Sequence, residues 1–240
     1  MRTIIAFLLV GILIFSSCEF SFDKTVKGEG VVTTEQRSFN SAKKIKLIGN
    51  FDVQLTQSAT KKITINTEAN LLEYIETNER NGWLEIGTRK NIQLKPNTKI
   101  IIQVETDALE GINIVGSGNF TSLNKFEGGE KLDIDIAGSG DVEIATNTPK
   151  VEASIAGNGD ILISGETKET KVSIAGSGDY KGKNLKSEFA KVSIAGSGSV
   201  EVFASQELNI NIAGSGDVFY LGNPTITKKI AGSGVIKPLQ

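Results

Sequence analysis

The 240-residue chain has no histidine and only one cysteine, one methionine and one tryptophan. Without histidine, the Ser-His-Asp and Cys-His routes to nucleophilic catalysis are closed. A lone cysteine, Cys18, excludes an internal disulfide and a cysteine zinc cluster. Proline is scarce at four residues, whereas glycine numbers 26. Much glycine with little proline suits repeated tight turns better than a disordered tract. Acidic and basic residues nearly cancel, with 26 Lys+Arg against 28 Asp+Glu. Nucleic-acid binding needs clustered basic charge, so none is expected. Beyond the first fifteen residues no apolar run is long enough to read as a membrane-spanning helix.

What is present begins with "MRTIIAFLLVGILIFSSCEF". Arg2 supplies a positive start, Ile4 to Phe15 an apolar run, and two serines and Cys18 follow. This is the layout of a secretory signal. "FSSC" resembles a relaxed bacterial lipobox, with Phe15 where leucine is usual. The resemblance implies cleavage before Cys18 and attachment of acyl chains such as palmitate to it. Residues 1–17 are then a lipoprotein signal peptide, and residues 18–29 a tether without clear period. The rival readings are an ordinary signal peptide with an incidental cysteine, or an uncleaved anchor.

From residue 30 the chain reads as strand after strand, with alternating apolar and polar residues in "KKIKLIG", "FDVQLTQ", "KKITINTE" and "WLEIGT". Asn81-Gly82 between two such runs predicts a two-residue hairpin. Ala69 to Glu76 is the one plausible helix, of two turns at most.

From Gly111 a repeat takes over. The first glycine of the motif falls at Gly116, Gly138, Gly157, Gly176, Gly196, Gly214 and Gly232, at spacings of 22, 19, 19, 20, 18 and 18. "LIGNFDV", Leu47 to Val53, reads as an eroded earlier copy. Each unit is strand, sharp Gly-Ser-Gly corner, strand, loose turn. Nineteen residues cannot enclose a core alone, but stacked units can share one. The expected fold is all-β: a parallel β-helix or β-solenoid of ~19-residue coils. It forms a single domain over 30–240, irregular over 30–110 and regular with GSGD repeats over 111–240.

The repeat admits four readings. A phosphate loop leads into a helix, whereas each Gly-Ser-Gly here leads into a strand. A calcium column could use Asp141, Asp160, Asp179 and Asp217, which stack one per coil. The calcium nonapeptide has a different period, and Ser199 and Val235 interrupt the column. The competing expectation is that each Asp hydrogen-bonds its own turn. Paired carboxylates on a polysaccharide need nearby arginine, and Arg37, Arg80 and Arg89 all precede the repeats. A face of small polar side chains is the fourth. Asn113, Asp135, Ser154, Ser173, Ser193 and Asn211 alternate out of phase with the buried residues and so point outward, with Lys229 next in line. Such a face can bind an extended glycan or a protein, although it lacks the aromatics that sugar stacking favours. The plainer reading is a solvated sheet surface.

"LEGINIVGSGNF", with Gly111-Ile112-Asn113, and the repeated "IAGSGD" resemble the head GIN domain family of auto-transporter adhesins, from about Ser38 to Gly234. The resemblance implies a right-handed β-helix in secreted or lipid-anchored proteins, often of Bacteroidota, with no catalytic residues to carry over. The expected protein is a lipid-anchored module of the cell envelope, held at the outer membrane through Cys18. It would be an adhesin or binding module with a protein or glycan ligand, no cofactor and no catalysis. The alternatives are a structural or stress-related envelope protein without a ligand, and a polysaccharide-active enzyme.

Overall fold

The computed structural model describes residues 24–239, so Cys18, the expected signal segment and the start of the tether lie outside the described residues. The N-terminal part comprises β1 (Lys24–Lys27), β2 (Val32–Ser38), β3 (Lys44–Gly49), β4 (Asp52–Gln57), β5 (Lys62–Glu68), β6 (Ile75–Arg80), β7 (Trp83–Thr88), β8 (Ile92–Lys95) and β9 (Ile101–Thr106). The repeats follow as β10 (Gly111–Gly116), β11 (Asn119–Ser122), β12 (Phe126–Glu127), β13 (Leu132–Gly138), β14 (Val142–Asn147), β15 (Lys150–Gly157), β16 (Ile161–Glu166), β17 (Glu169–Gly176) and β18 (Tyr180–Lys186). The last are β19 (Phe189–Gly196), β20 (Ser199–Phe203), β21 (Glu207–Gly214), β22 (Asp217–Leu221), β23 (Thr225–Gly232) and β24 (Ile236–Pro238).

These strands build a parallel β-solenoid with two long sheets. The strand before each corner joins a sheet ordered β6-β7-β3-β10-β13-β15-β17-β19-β21-β23. The strand after it joins a sheet running from β2 to β24. Inward residues stack on their own copies. Ile114, Ile136, Ile155, Ile174, Ile194 and Ile212 form one in-register column. Each of these is buried. Burying an isoleucine side chain contributes roughly 1.5–3 kcal/mol, so the alternation read from the sequence is also the main source of stability.

The corner follows from the same stacking. Gly176 has φ 136°, in the left-handed range that side chains with a Cβ avoid. The Ser177 N–H donates to Gly157 O of the preceding coil at 3.0 Å. That carbonyl lies 2.2 Å from where a Gly176 Cβ would stand. The corner therefore needs glycine twice over, for φ and for the neighbouring backbone. Gly178, two residues on, shows no positive φ, yet its Cβ would meet Gly159 O at 2.2 Å and Ile155 Cγ2 at 2.8 Å.

The 20-residue spacing between Gly176 and Gly196 has a local cause. The β16–β18 register shifts between Leu162 and Ser164, so β18 carries one extra residue as a bulge. Beside it Tyr180 is fully buried, with its ring over Gly182, where a Cβ would come within 2.2 Å of Cε1. The Tyr180 hydroxyl and Thr170 Oγ1 share a hydrogen bond of 3.3 Å. Burial pushes the Tyr180 hydroxyl up to about 12.

The irregular part differs from expectation in order rather than in kind. Gly49 lies in register with Gly116, so "LIGNFDV" is a true corner. The first coil in space, β7 with β9, comes later in the chain than the second, β3 with β4. Between them the chain leaves through β5, caps the core with Leu71 of a 3₁₀ turn (Ala69–Tyr74), and returns through the β6–β7 hairpin. Asn81 and Gly82, at φ 52° and 78°, form the expected hairpin turn. The expected helix is only this 3₁₀ turn, because Ile75 begins β6. Residues 24–27, inside the stretch read as a tether, form β1 and pair with β8. Four residues with a single apolar Val26 carried too little pattern to show this. At the other end Lys228 occupies the inward position in line with Ile210 and is exposed. An inward charge on an edge strand discourages further strand addition.

Candidate binding face

Strands of the first sheet place Asn113, Asp135, Ser154, Ser173, Ser193 and Asn211 in one register row, continuing to Lys229. All are exposed or half-buried and face out, so the expected polar ladder exists as a continuous row. Beside it runs a second row: Ala137, Ala156, Ala175, Ala195, Ala213 and Ala231 also point outward. The residue two before each corner glycine is buried and the alanine next to the glycine is not, so strict alternation already contained this signal. Exposed Val115 and Ile48 extend the alanine row toward the N-terminal end. Together the rows form a shallow groove of about 720 Å³, running from Asp135 to Ala231.

One flank of the groove is charged. Lys131 reaches Asp133 at 2.8 Å and Glu152 at 3.2 Å, and Lys150 reaches Glu152 at 3.1 Å. These lysines, Lys150 foremost, hold the Glu152 carboxyl below its ordinary value. Asp135 behaves oppositely: loss of hydration raises its carboxyl, against a hydrogen bond from Ser154. Further along, exposed Lys171 and Lys191 continue the flank. The groove thus passes from an acidic end to a basic one, with uncharged Ser and Ala between.

The Asp column lies at the start of the second sheet and has a different role from either expectation. Asp160 N–H donates to Asp141 Oδ1 at 3.0 Å, Asp179 N–H to Asp160 Oδ1 at 3.0 Å, and Ser199 N–H to Asp179 Oδ1 at 2.9 Å. Val235 N–H donates to Asp217 Oδ1 at 2.9 Å. Each carboxylate therefore serves the backbone of the next coil, not its own turn. Asn119 Oδ1 does the same for Asp141 N–H, so the job needs a side-chain carbonyl oxygen and not a charge. Lys181 Nζ takes Asp160 Oδ2 at 2.6 Å. Among the described residues no group of three or more His, Cys, Asp or Glu is placed to hold a metal ion. Arg37, Arg80 and Arg89 all sit in the N-terminal cap, on or beside β2, β6 and β7, away from the groove.

Sequence reasoning missed the outer side of the second sheet. There Phe203 and Phe219 are half-exposed, Lys186 Nζ stands 4.2 Å from the Phe203 ring, and Lys183 pairs with Glu201 at 2.9 Å. Their alternation with buried Val200, Val202 and Val218 was the available signal.

Comparison with known proteins agrees with this architecture. A putative adhesin from Bacteroides fragilis has 23% identity and a TM-score of 0.85, covering 89% of this chain and 100% of its own. A putative lipid binding protein from Parabacteroides distasonis has 28% identity and a TM-score of 0.72, covering 90% and 100%. A putative adhesin from the same species has 25% identity and a TM-score of 0.74, again covering 90% and 100%. No curated protein matches the chain. The family model described as "Putative auto-transporter adhesin, head GIN domain" matches residues 42–224, and the chain belongs to that family.

Proposed function

We propose that the protein is a lipid-anchored, non-catalytic adhesion module of the cell envelope, held at the outer membrane through Cys18, and that it binds through the groove on its first sheet. The observation that carries the reading is the pairing of an unbroken Asn/Asp/Ser row with an outward Ala row, in register over many coils. Small side chains keep the face shallow, so an extended polymer can lie along it and meet the same groups every ~4.8 Å. Family membership and the adhesin-like neighbours support the class. An extended protein segment suits the groove better than a glycan, because no aromatic side chain lines it. The described chemistry also favours binding over catalysis, since the acids on the groove flank are tied to lysines.

The test is a glycan array and whole-cell binding with the purified chain, repeated for Ala175→Arg. The arginine fills the groove at an exposed position and leaves the core untouched. Saturable binding lost in Ala175→Arg supports the reading. Binding unaffected by that variant moves the site elsewhere, and no binding to any surface favours a structural envelope protein.

A further inference from the structure

The end of the rod where the described chain begins carries a surface that the groove does not explain. Lys27 and Lys95 are register partners on β1 and β8, and both are exposed. Lys24 donates to Tyr74 Oη at 3.1 Å and stands 5.2 Å from the Tyr74 ring, with the Arg89 guanidinium 5.4 Å from the same ring. Lys90 is exposed beside Arg89. Facing acids are few or occupied. Glu76 is 3.9 Å from Arg89, and Glu68 turns inward to accept the Asn97 and Thr98 N–H groups. Glu29 and Glu73 remain exposed.

Next to these cations are two exposed valines, one of them, Val31, the most exposed large apolar side chain among the described residues. Val31 is 78% and Val32 52% exposed. Asn70 ties the two features together: its Nδ2 donates to Lys27 O at 2.7 Å and its Oδ1 accepts from Glu29 N–H at 2.8 Å. Ala69 N–H bonds to Val31 O. Lysines flanking exposed valines form an interfacial surface, in which cations meet headgroup phosphates and apolar side chains enter the acyl boundary.

We propose that this end docks on anionic phospholipid, with Lys24, Lys27 and Lys95 on the phosphates and Val31 and Val32 in the interface. The proposal rests on the anchor reading for its geometry. Only five residues separate Cys18 from Lys24, so a lipid on Cys18 keeps β1 within roughly 20 Å of the bilayer. The groove then points along the membrane plane or away from it, with its acidic end nearer the lipid.

The test uses the full chain with Val31→Cys carrying an environment-sensitive fluorophore, and Ser197→Cys as a control at a distant corner. Mass measurement of the mature N-terminus first reports whether Cys18 is acylated, which separates failure of the anchor from failure of the docking surface. Acylated protein is reconstituted into phosphatidylcholine vesicles with and without phosphatidylglycerol, and unacylated protein is added to the same vesicles from solution. The expected result is a blue shift and quenching by bilayer spin labels at position 31 only, with phosphatidylglycerol present. Combined Lys24→Glu, Lys27→Glu and Lys95→Glu should lower partition of the unacylated chain roughly tenfold or more. A position-31 label that stays water-exposed on both vesicles overturns the proposal. So does one already shielded without vesicles, which would show that another part of the chain or a protein covers the valines.

Discussion

A Cβ added at Gly176, in the regular coils, would stand 2.2 Å from Gly157 O, while one added at Gly82, in the N-terminal hairpin, would meet nothing within 4 Å. Both glycines have positive φ. The regular coils stack identical backbones, so every corner is limited by the corner below it. Gly49, which heads the glycine column, likewise meets nothing within 4 Å, because no matching corner lies beneath. In the hairpin Gly82 answers only to its own dihedral angles. Repetition therefore turns a local turn preference into a long-range packing constraint.

The comparison is sharpest at Gly176→Val. Left-handed strain and backbone overlap add, so the loss should be roughly 3 kcal/mol or more, measured by urea unfolding, or the chain should fail to fold. Gly178→Ala should be almost as damaging although no positive φ is involved, since Gly159 O and Ile155 fill the space. A small loss at Gly178 would break the packing half of the argument.

Tyr180→Ala, beside the β18 bulge, should cost roughly 3–5 kcal/mol. The same residue makes a pH test. Its folded pKa of about 12 lies above the ordinary tyrosine value of 10.0. The stabilisation is therefore fully present below pH 10 and is lost as pH rises toward 12. Denaturation midpoints followed across that window should fall, and Tyr180→Phe should flatten the fall.

Asp160→Ala removes the acceptor of Asp179 N–H and should cost about 1 kcal/mol. Asp160→Asn keeps a carbonyl oxygen, as Asn119 does naturally, and should cost less. Added calcium should leave the melting temperature of the parent chain unchanged. A saturable rise, lost in Asp160→Asn and Asp179→Asn, would restore the metal reading. The smallest effect is expected at Gly82→Asn, under about 0.5 kcal/mol, because asparagine tolerates the left-handed region and nothing crowds it there.

Coil period, inward columns, hairpin turn and polar ladder were legible because each leaves a periodic or local mark in the sequence. The exchange of the first two coils was not. β3 and β7 pair in parallel although β4, β5, the 3₁₀ turn and β6 lie between them, and periodicity carries no information about such returns. The Asp ladder was half legible. Its residues stood out, but whether Asp160 serves its own turn or the next coil depends on the offset between strands, which no residue spacing states. The outward alanine row was legible in principle, because alternation from buried Ile174 to Ala175 turns it outward.

Deletion of one whole unit, Gly157 to Ala175, tests most directly whether the repeat is a scaffold of interchangeable coils. The deletion joins Ala156 to Gly176 and so keeps the register Ala137↔Ala156, Ala156↔Ala175 that the coils share. The expected product is a cooperatively folding rod, shorter by about 4.8 Å, with a modest loss of melting temperature. Deletion of Ser173 alone should be far worse, because it turns the inward face of β17 outward. Unfolding of the unit deletion, with Ser173 deletion tolerated, would contradict the stacked-coil origin of both the stability and the groove.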